Sequence, residues 1–139
     1  MLRALKNSLF IEDYPFLGAI KRVTVKNTIY KLSQNCGCAL ISQRHIVTAA
    51  HCFDLTKNPN NYYVLFGHDN SFVSWRQRDQ MDDLYGVKSL IIHEAYSKDL
   101  QMLFNDIALA VLIKPVIFKP PNIEMATLTD LKYPKGLSI

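Results

Sequence analysis

The chain has 139 residues, enough for one domain with a core of its own. Its hydrophobic share of 49% and charged share of 20% exclude a largely disordered polymer. The net charge of +4 sits on scattered residues such as Lys21-Arg22 and Arg76-Gln77-Arg78. These do not interleave with aromatics, so a nucleic-acid partner is not expected. No stretch approaches the roughly 20 apolar residues of a membrane-spanning helix, so no membrane association is expected either.

At the start, Lys6, Asn7 and Ser8 interrupt the apolar residues of Met1 to Phe10. They leave nothing like the roughly 7–15-residue apolar core of a secretory leader. Beyond it the hydrophobic period is mostly two. Phe16 to Val25, Cys38 to Ser42, His45 to Thr48, Tyr62 to Phe66, Gly86 to Ile92 and Ile107 to Ile113 read as short strands rich in Val, Ile, Tyr and Phe. Asn58-Pro59-Asn60-Asn61, Gly67-His68-Asp69-Asn70 and Lys119-Pro120-Pro121-Asn122 are turn signals. The polar run from Ser71 to Leu84 reads as a surface loop. Six strands without a long amphipathic helix predict an all-β antiparallel barrel or sandwich.

Two segments carry candidate chemistry. Val47-Thr48-Ala49-Ala50-His51-Cys52 places a histidine at a strand end, and Asn105-Asp106-Ile107-Ala108-Leu109 places a carboxylate at the mouth of an apolar strand. Hydrolysis by an activated hydroxyl needs a neutral imidazole to take its proton. It also needs a carboxylate on the other ring nitrogen to fix the tautomer and stabilise the imidazolium. Histidine suits the task because its ordinary pKa is about 6.5. The three cysteines are an odd count. In an oxidising compartment two pair and one is left over; in a reducing one all three stay thiols.

The run Cys36-Gly37-Cys38-Ala39-Leu40-Ile41-Ser42-Gln43-Arg44-His45-Ile46-Val47-Thr48-Ala49-Ala50-His51-Cys52 resembles the first-cysteine-to-histidine block of the trypsin-like, chymotrypsin-fold serine proteases. Asn105-Asp106-Ile107-Ala108-Leu109 resembles the aspartate segment of that family. Asp13-Tyr14-Pro15-Phe16, Ile91-Ile92-His93-Glu94-Ala95-Tyr96 and Lys114-Pro115-Val116 resemble, in order, the entry to its first strand, the strand before the aspartate loop and a strand exit. The resemblance runs from about residue 12 to the end. It implies a six-stranded Greek-key β-barrel, the first of two. By it residues 12–139 are the first-barrel part of a peptidase domain, behind an atypical N-terminal segment of residues 1–11.

The same resemblance implies that His51 is the general base of a serine-type endopeptidase and Asp106 its orienting partner. It also implies a Cys36–Cys52 disulfide beside the histidine, with Cα atoms about 4.4–6.8 Å apart. Closing that loop is worth on the order of 3 kcal/mol. Family and disulfide together imply an extracellular location, although no leader is visible.

Three departures qualify the activity. The family's nucleophile lies in a Gly-Asp-Ser-Gly-Gly context in the second barrel, and the serines from Ser8 to Ser138 all lie outside such a context. The oxyanion-hole amides and the specificity pocket belong to that barrel too, so the isolated chain is expected not to cleave peptides. The segment at Arg3-Ala4-Leu5-Lys6 does not resemble the Ile-Val-Gly-Gly start of activated members. Cys38 stands where the family usually has glycine, either as a buried free thiol or as half of a bridge to something outside the chain.

Two functions remain open on the sequence. One is a serine endopeptidase whose substrate is a protein or peptide, completed by a second barrel. The other is a non-catalytic homologue whose exposed barrel face binds a protein partner. No cofactor and no metal are expected, because His45, His51, His68 and His93 lack metal-ligand spacing. Asp69, Asp82 and Asp83 flank a region that binds calcium in some relatives of the family, but they read as a solvated acidic loop. Trp75 and Tyr85 are expected to pack across that loop, and Tyr62-Tyr63 to pack within a strand.

Overall fold

The computed structural model describes residues 14–67 and 73–127. The expected segments at residues 1–11 and at His68 to Asn70 lie outside them. The first two strands, β1 (Leu17–Lys26) and β2 (Ile29–Leu40), form a long antiparallel hairpin, registered from Leu17 opposite Ala39 to Lys26 opposite Ile29. Only Asn27 and Thr28 separate them, with φ of 52° and 64°. Two consecutive residues with positive φ make the tight turn whose twist matches the flanking strands.

β2 begins nine residues earlier than the apolar run at Cys38 suggests. Its first half, Ile29-Tyr30-Lys31-Leu32-Ser33-Gln34-Asn35, carries one buried residue, Leu32. Pairing along β1, more than burial, holds that half in the extended state. The bulge between Ile20 and Lys21 absorbs the mismatch in register along the hairpin.

The remaining barrel strands are β3 (His45–Thr48), β4 (Tyr62–Phe66), β5 (Leu84–Ile92) and β8 (Ala108–Leu112). Between the last two lies a small separate hairpin of β6 (Ser97–Lys98) and β7 (Leu103–Phe104), additional to the six expected strands. The six long strands close into an antiparallel barrel in the order β1-β2-β3-β8-β5-β4. β4 returns beside β1, giving the spatial order β4-β1-β2-β3 of a Greek key. The six-stranded Greek-key barrel expected from the sequence is therefore the observed fold.

Alternation of burial fills the barrel. Ile20, Leu40, Ile46, Val64, Phe66, Tyr85, Val87, Ala110 and Leu112 point inward and are almost wholly buried. A satellite cluster of Leu32, Leu65, Val73 and Leu84 lies under the polar stretch that read as a loop. That stretch contains a 3₁₀ helix, Trp75–Gln80, capped by Ser74. Trp75 stacks on Tyr30 at 5.1 Å and meets Tyr63 edge-on. Tyr85 instead lies in the core against Phe66, so the expected Trp75–Tyr85 pairing across the loop is not formed. Tyr62 and Tyr63 pack as strand residues: Tyr62 is buried edge-on to Phe53 at 4.9 Å. Among the described residues no helix is long and apolar enough to cross a membrane.

Candidate active site

The pairing of β3 with β8 decides where the two candidate residues meet. Thr48 sits opposite Ala108 at the last rung of that ladder. His51 lies three residues past Thr48 and Asp106 two residues before Ala108, so antiparallel pairing delivers both to the same end of the barrel. After Thr48 the chain passes extended Ala49 and tightens into a 3₁₀ turn, Ala50–Phe53. Ala50 and Phe53 are each 1% exposed. Their burial pins the turn against the core and leaves His51 on its outer side, with its side chain 47% exposed.

Asp106 grips this turn at two points. The His51 backbone N–H donates to Oδ1 at 2.7 Å, and Nδ1 of the His51 ring lies 2.6 Å from Oδ2. An ionised carboxylate only accepts, so Nδ1 carries a proton, and in the neutral imidazole Nε2 then holds the lone pair. That tautomer leaves Nε2 open as a proton acceptor. Partial burial pushes the Asp106 carboxyl up. The hydrogen bonds from the His51 ring and from the His51 and Ala50 amides outweigh it and hold the carboxyl below its ordinary value.

A second layer orients the pair. Asn105 adopts φ of 54°, a left-handed conformation that asparagine tolerates, and its side-chain amide donates to the Ala95 carbonyl at 3.1 Å. The Tyr96 hydroxyl donates to Asp54, 2.9 Å from Oδ1, and Lys98 lies 3.5 Å from Oδ2. Asp54 caps the turn that carries His51, so this contact fastens the turn to the loop leading to Asp106. Partial burial, then the bond to Asp54, then the charges of Asp54 and Asp106 push the Tyr96 phenol up to about 12. Asp54, Lys98 and Tyr96 are not among the residues expected at the site. Tyr96 lies 42 residues from Asp54 in the chain and Lys98 still farther, and no local pattern marks such contacts.

The Cys36–Cys52 disulfide is formed, with Cα atoms 6.1 Å apart, and ties β2 to the histidine turn. Asn35 donates to the Cys52 carbonyl at 2.8 Å and Thr48 to the Gly37 carbonyl at 2.8 Å, holding the same two segments together. Cys38 is a buried free thiol, pushed up to about 12 by burial against the weaker opposing effect of the Gly18 amide. Among the described residues, Cys36, His51 and Cys52 form the one group of three potential metal donors; here the two sulfurs are spent on each other.

Other sequence candidates take different roles. The Ser42 hydroxyl accepts the backbone amides of Arg44 and His45 and lies 2.7 Å from Nδ1 of His45, an arrangement that closes the β2–β3 turn. His93 Nδ1 accepts the Ala95 amide. Asp83 is bonded to Lys119 at 2.7 Å, which commits that carboxylate to a protein cation. Ile91, His93, Ile107, Ala108 and Leu109 border an open apolar hollow of about 270 Å³ on the outside of β5 and β8.

Residues 13–136 match the family described as Trypsin. The chain is 39% identical to transmembrane protease serine 11C of Mus musculus over 129 residues, covering 91% of this chain and 26% of that protein. It is 35% identical to U21-ctenitoxin-Pn1a of Phoneutria nigriventer over 107 residues, 76% of this chain and 40% of the toxin. Venom serine protease 34 of Apis mellifera is 31% identical over 114 residues, 78% of this chain and 25% of that protein. The chain thus spans between about a quarter and two fifths of the length of these relatives.

Proposed function

The chain belongs to the trypsin family, and from that premise we propose that it is the first barrel of a serine-type endopeptidase, supplying the general base and its orienting carboxylate. The observation that carries this reading is the double contact of Asp106 with His51, at 2.7 Å to the backbone and 2.6 Å to the ring. A carboxylate that only capped the turn would need the first contact. The second fixes the ring's tautomer and matters for proton transfer. In the reaction Nε2 of His51 takes the proton of a serine hydroxyl as it attacks a peptide carbonyl, then returns it to the leaving amine. Asp106 stabilises the imidazolium in between.

In this reading the nucleophile, oxyanion donors and specificity pocket come from a second barrel outside the 139 residues, and the chain alone does not turn over peptides. The substrate is a protein or peptide. The exposed apolar hollow bordered by Ile91 and Ile107 is a surface for the remainder of such a catalytic domain to cover. The disulfide supports an extracellular setting, as does the relative named as a venom serine protease.

The test has two parts. The transcript is sequenced past the Ile139 codon, and its full product is treated with a fluorophosphonate that labels activated serines. In-frame continuation into a Gly-Asp-Ser-Gly segment, with labelling abolished by His51→Ala, supports the reading. A stop codon, or a full product that does not label, overturns it in favour of a non-catalytic binding module. The 139-residue chain is also assayed on peptide esters. Turnover that vanishes in His51→Ala would refute the claim that this barrel is inert alone.

A further inference from the structure

We infer that two-electron reduction of the Cys36–Cys52 disulfide turns the histidine corner into a site for a zinc-type divalent cation, with both thiolates and His51 as ligands. The two sulfurs and a ring nitrogen of His51 already lie within 4.8 Å of one another. In a tetrahedral site with metal–sulfur bonds of about 2.3 Å and metal–nitrogen bonds of about 2.0 Å, neighbouring donors stand roughly 3.4–3.8 Å apart. Once the sulfur–sulfur bond opens, the sulfurs must part from 2.04 Å to that spacing, and the imidazole nitrogen must close from within 4.8 Å by up to about an ångström; side-chain rotations of this size supply both. Two soft sulfurs and an imidazole are the donor set that selects zinc over calcium or magnesium.

The surroundings suit a metal as well as they suit the disulfide. Asp106 holds Nδ1 of His51, which leaves Nε2 for the cation and reproduces the carboxylate–histidine–metal arrangement that orients such ligands. The Thr48 hydroxyl lies 3.7 Å from the Cys52 sulfur while its proton goes to the Gly37 carbonyl, so it brings polar surroundings to that sulfur without binding it. The Asn35 and Thr48 bonds that join β2 to the turn do not involve the sulfurs, so they keep the cysteines neighbours after the bridge opens. Cys52 is buried, Cys36 half-buried and His51 exposed, giving a cation an approach from the histidine side.

The chemistry balances with a dithiol as reductant. The protein disulfide takes two electrons and two protons from the dithiol, which closes into its own disulfide, and the cation then displaces the two thiol protons. A metal on Nε2 would occupy the lone pair that the general-base reading assigns to catalysis. The inhibitory consequence rests on that reading, whereas the binding site itself does not.

The probe is cobalt(II), titrated into the 139-residue chain after reduction with a phosphine and into the oxidised chain in parallel. The expected result is one equivalent bound by the reduced chain, with thiolate-to-cobalt charge transfer in the near ultraviolet, tetrahedral visible bands and displacement by zinc(II). The oxidised chain should show none. His51→Ala should weaken binding at least tenfold and Asp106→Asn by roughly 10- to 100-fold, while Cys38→Ser leaves it unchanged. The proposal is overturned by absence of these bands, by equal binding to the oxidised chain, or by undiminished affinity in His51→Ala. It is also overturned if reduction abolishes the near-ultraviolet circular dichroism and the metal does not restore it. Activity is not the readout, so failure here leaves the endopeptidase reading standing, and the converse holds.

Discussion

Asp106 takes the backbone N–H of His51 on one oxygen and the ring N–H on the other, at 2.7 Å and 2.6 Å. The same carboxylate therefore fixes both the position of the histidine and its tautomer. Asp106→Asn separates these roles. The amide oxygen can still accept the backbone N–H, but the amide nitrogen facing Nδ1 donates and drives the ring proton to Nε2. In an assembled, labelling-competent protease, kcat should fall by roughly four orders of magnitude with little change in KM. Steady-state kinetics of the full-length variant check it.

That contact also sets an acid limb in stability. The Asp106 carboxyl is held below its ordinary 3.8 in the folded chain. As pH falls, the unfolded chain takes up the proton first, so stability rises with pH across this window. The contribution is complete above 3.8 and is lost as pH drops through the lower, folded value. Thermal midpoints measured at a series of acidic pH values should fall more steeply for the wild type than for Asp106→Asn. Parallel curves would show that the contact is not maintained in solution.

The disulfide closes a loop of sequence separation 16 next to the histidine turn. Replacing both cysteines with serine should cost about 3 kcal/mol by loss of loop constraint. That corresponds to a fall of about 10 °C in the thermal midpoint. Calorimetry of Cys36→Ser/Cys52→Ser checks it. Asn35 and Thr48 still tie the turn to β2, so the variant should retain its near-ultraviolet circular dichroism below the transition.

What could be read from the sequence follows a physical divide. β3 and β4 were legible to the residue because their apolar residues are dense and their ends are marked by turn chemistry. β5 begins at Leu84, two residues before the Gly86 expected as its start, and β2 begins at Ile29, nine residues before the expected Cys38. In β2 the side chains from Ile29 to Lys31 face solvent, and backbone pairing to β1 is what makes the strand. His51 and Asp106 stood out through their neighbours in the chain. The Asp54–Tyr96 contact did not, since it is made by tertiary closure across 42 residues.

Tyr96 offers a titration that reports on this closure. Its phenol sits at about 12, from partial burial first and then from the bond to Asp54. Asp54→Asn removes that charge but not the burial, so the pKa should move part of the way towards the ordinary 10.0 and stop above it. The stability that Tyr96 contributes is complete below 10.0 and is lost as pH rises through about 12. Carbon-13 tyrosine spectra, assigned with Tyr96→Phe, give the value directly. Tyr96→Phe should also speed exchange of the Asp54 amide, which donates to His51 within the turn.

The free thiol is explained by its neighbour across the hairpin. Gly18 pairs with Cys38, and a Cβ on Gly18 would lie 2.9 Å from the Cys38 sulfur and 2.7 Å from a Phe66 ring carbon. The sulfur and the ring fill the space that a side chain at position 18 would need. Gly18→Ala should therefore destabilise the barrel by about 1–3 kcal/mol through overpacking. Adding Cys38→Ala removes one of the two clashes, so the double variant should be less destabilised than the two single effects summed. Urea unfolding of the four proteins in the cycle measures that coupling. Additive effects would mean that β1 and β2 shift apart at Gly18 and that the packing there is looser than the 2.7 Å and 2.9 Å approaches require.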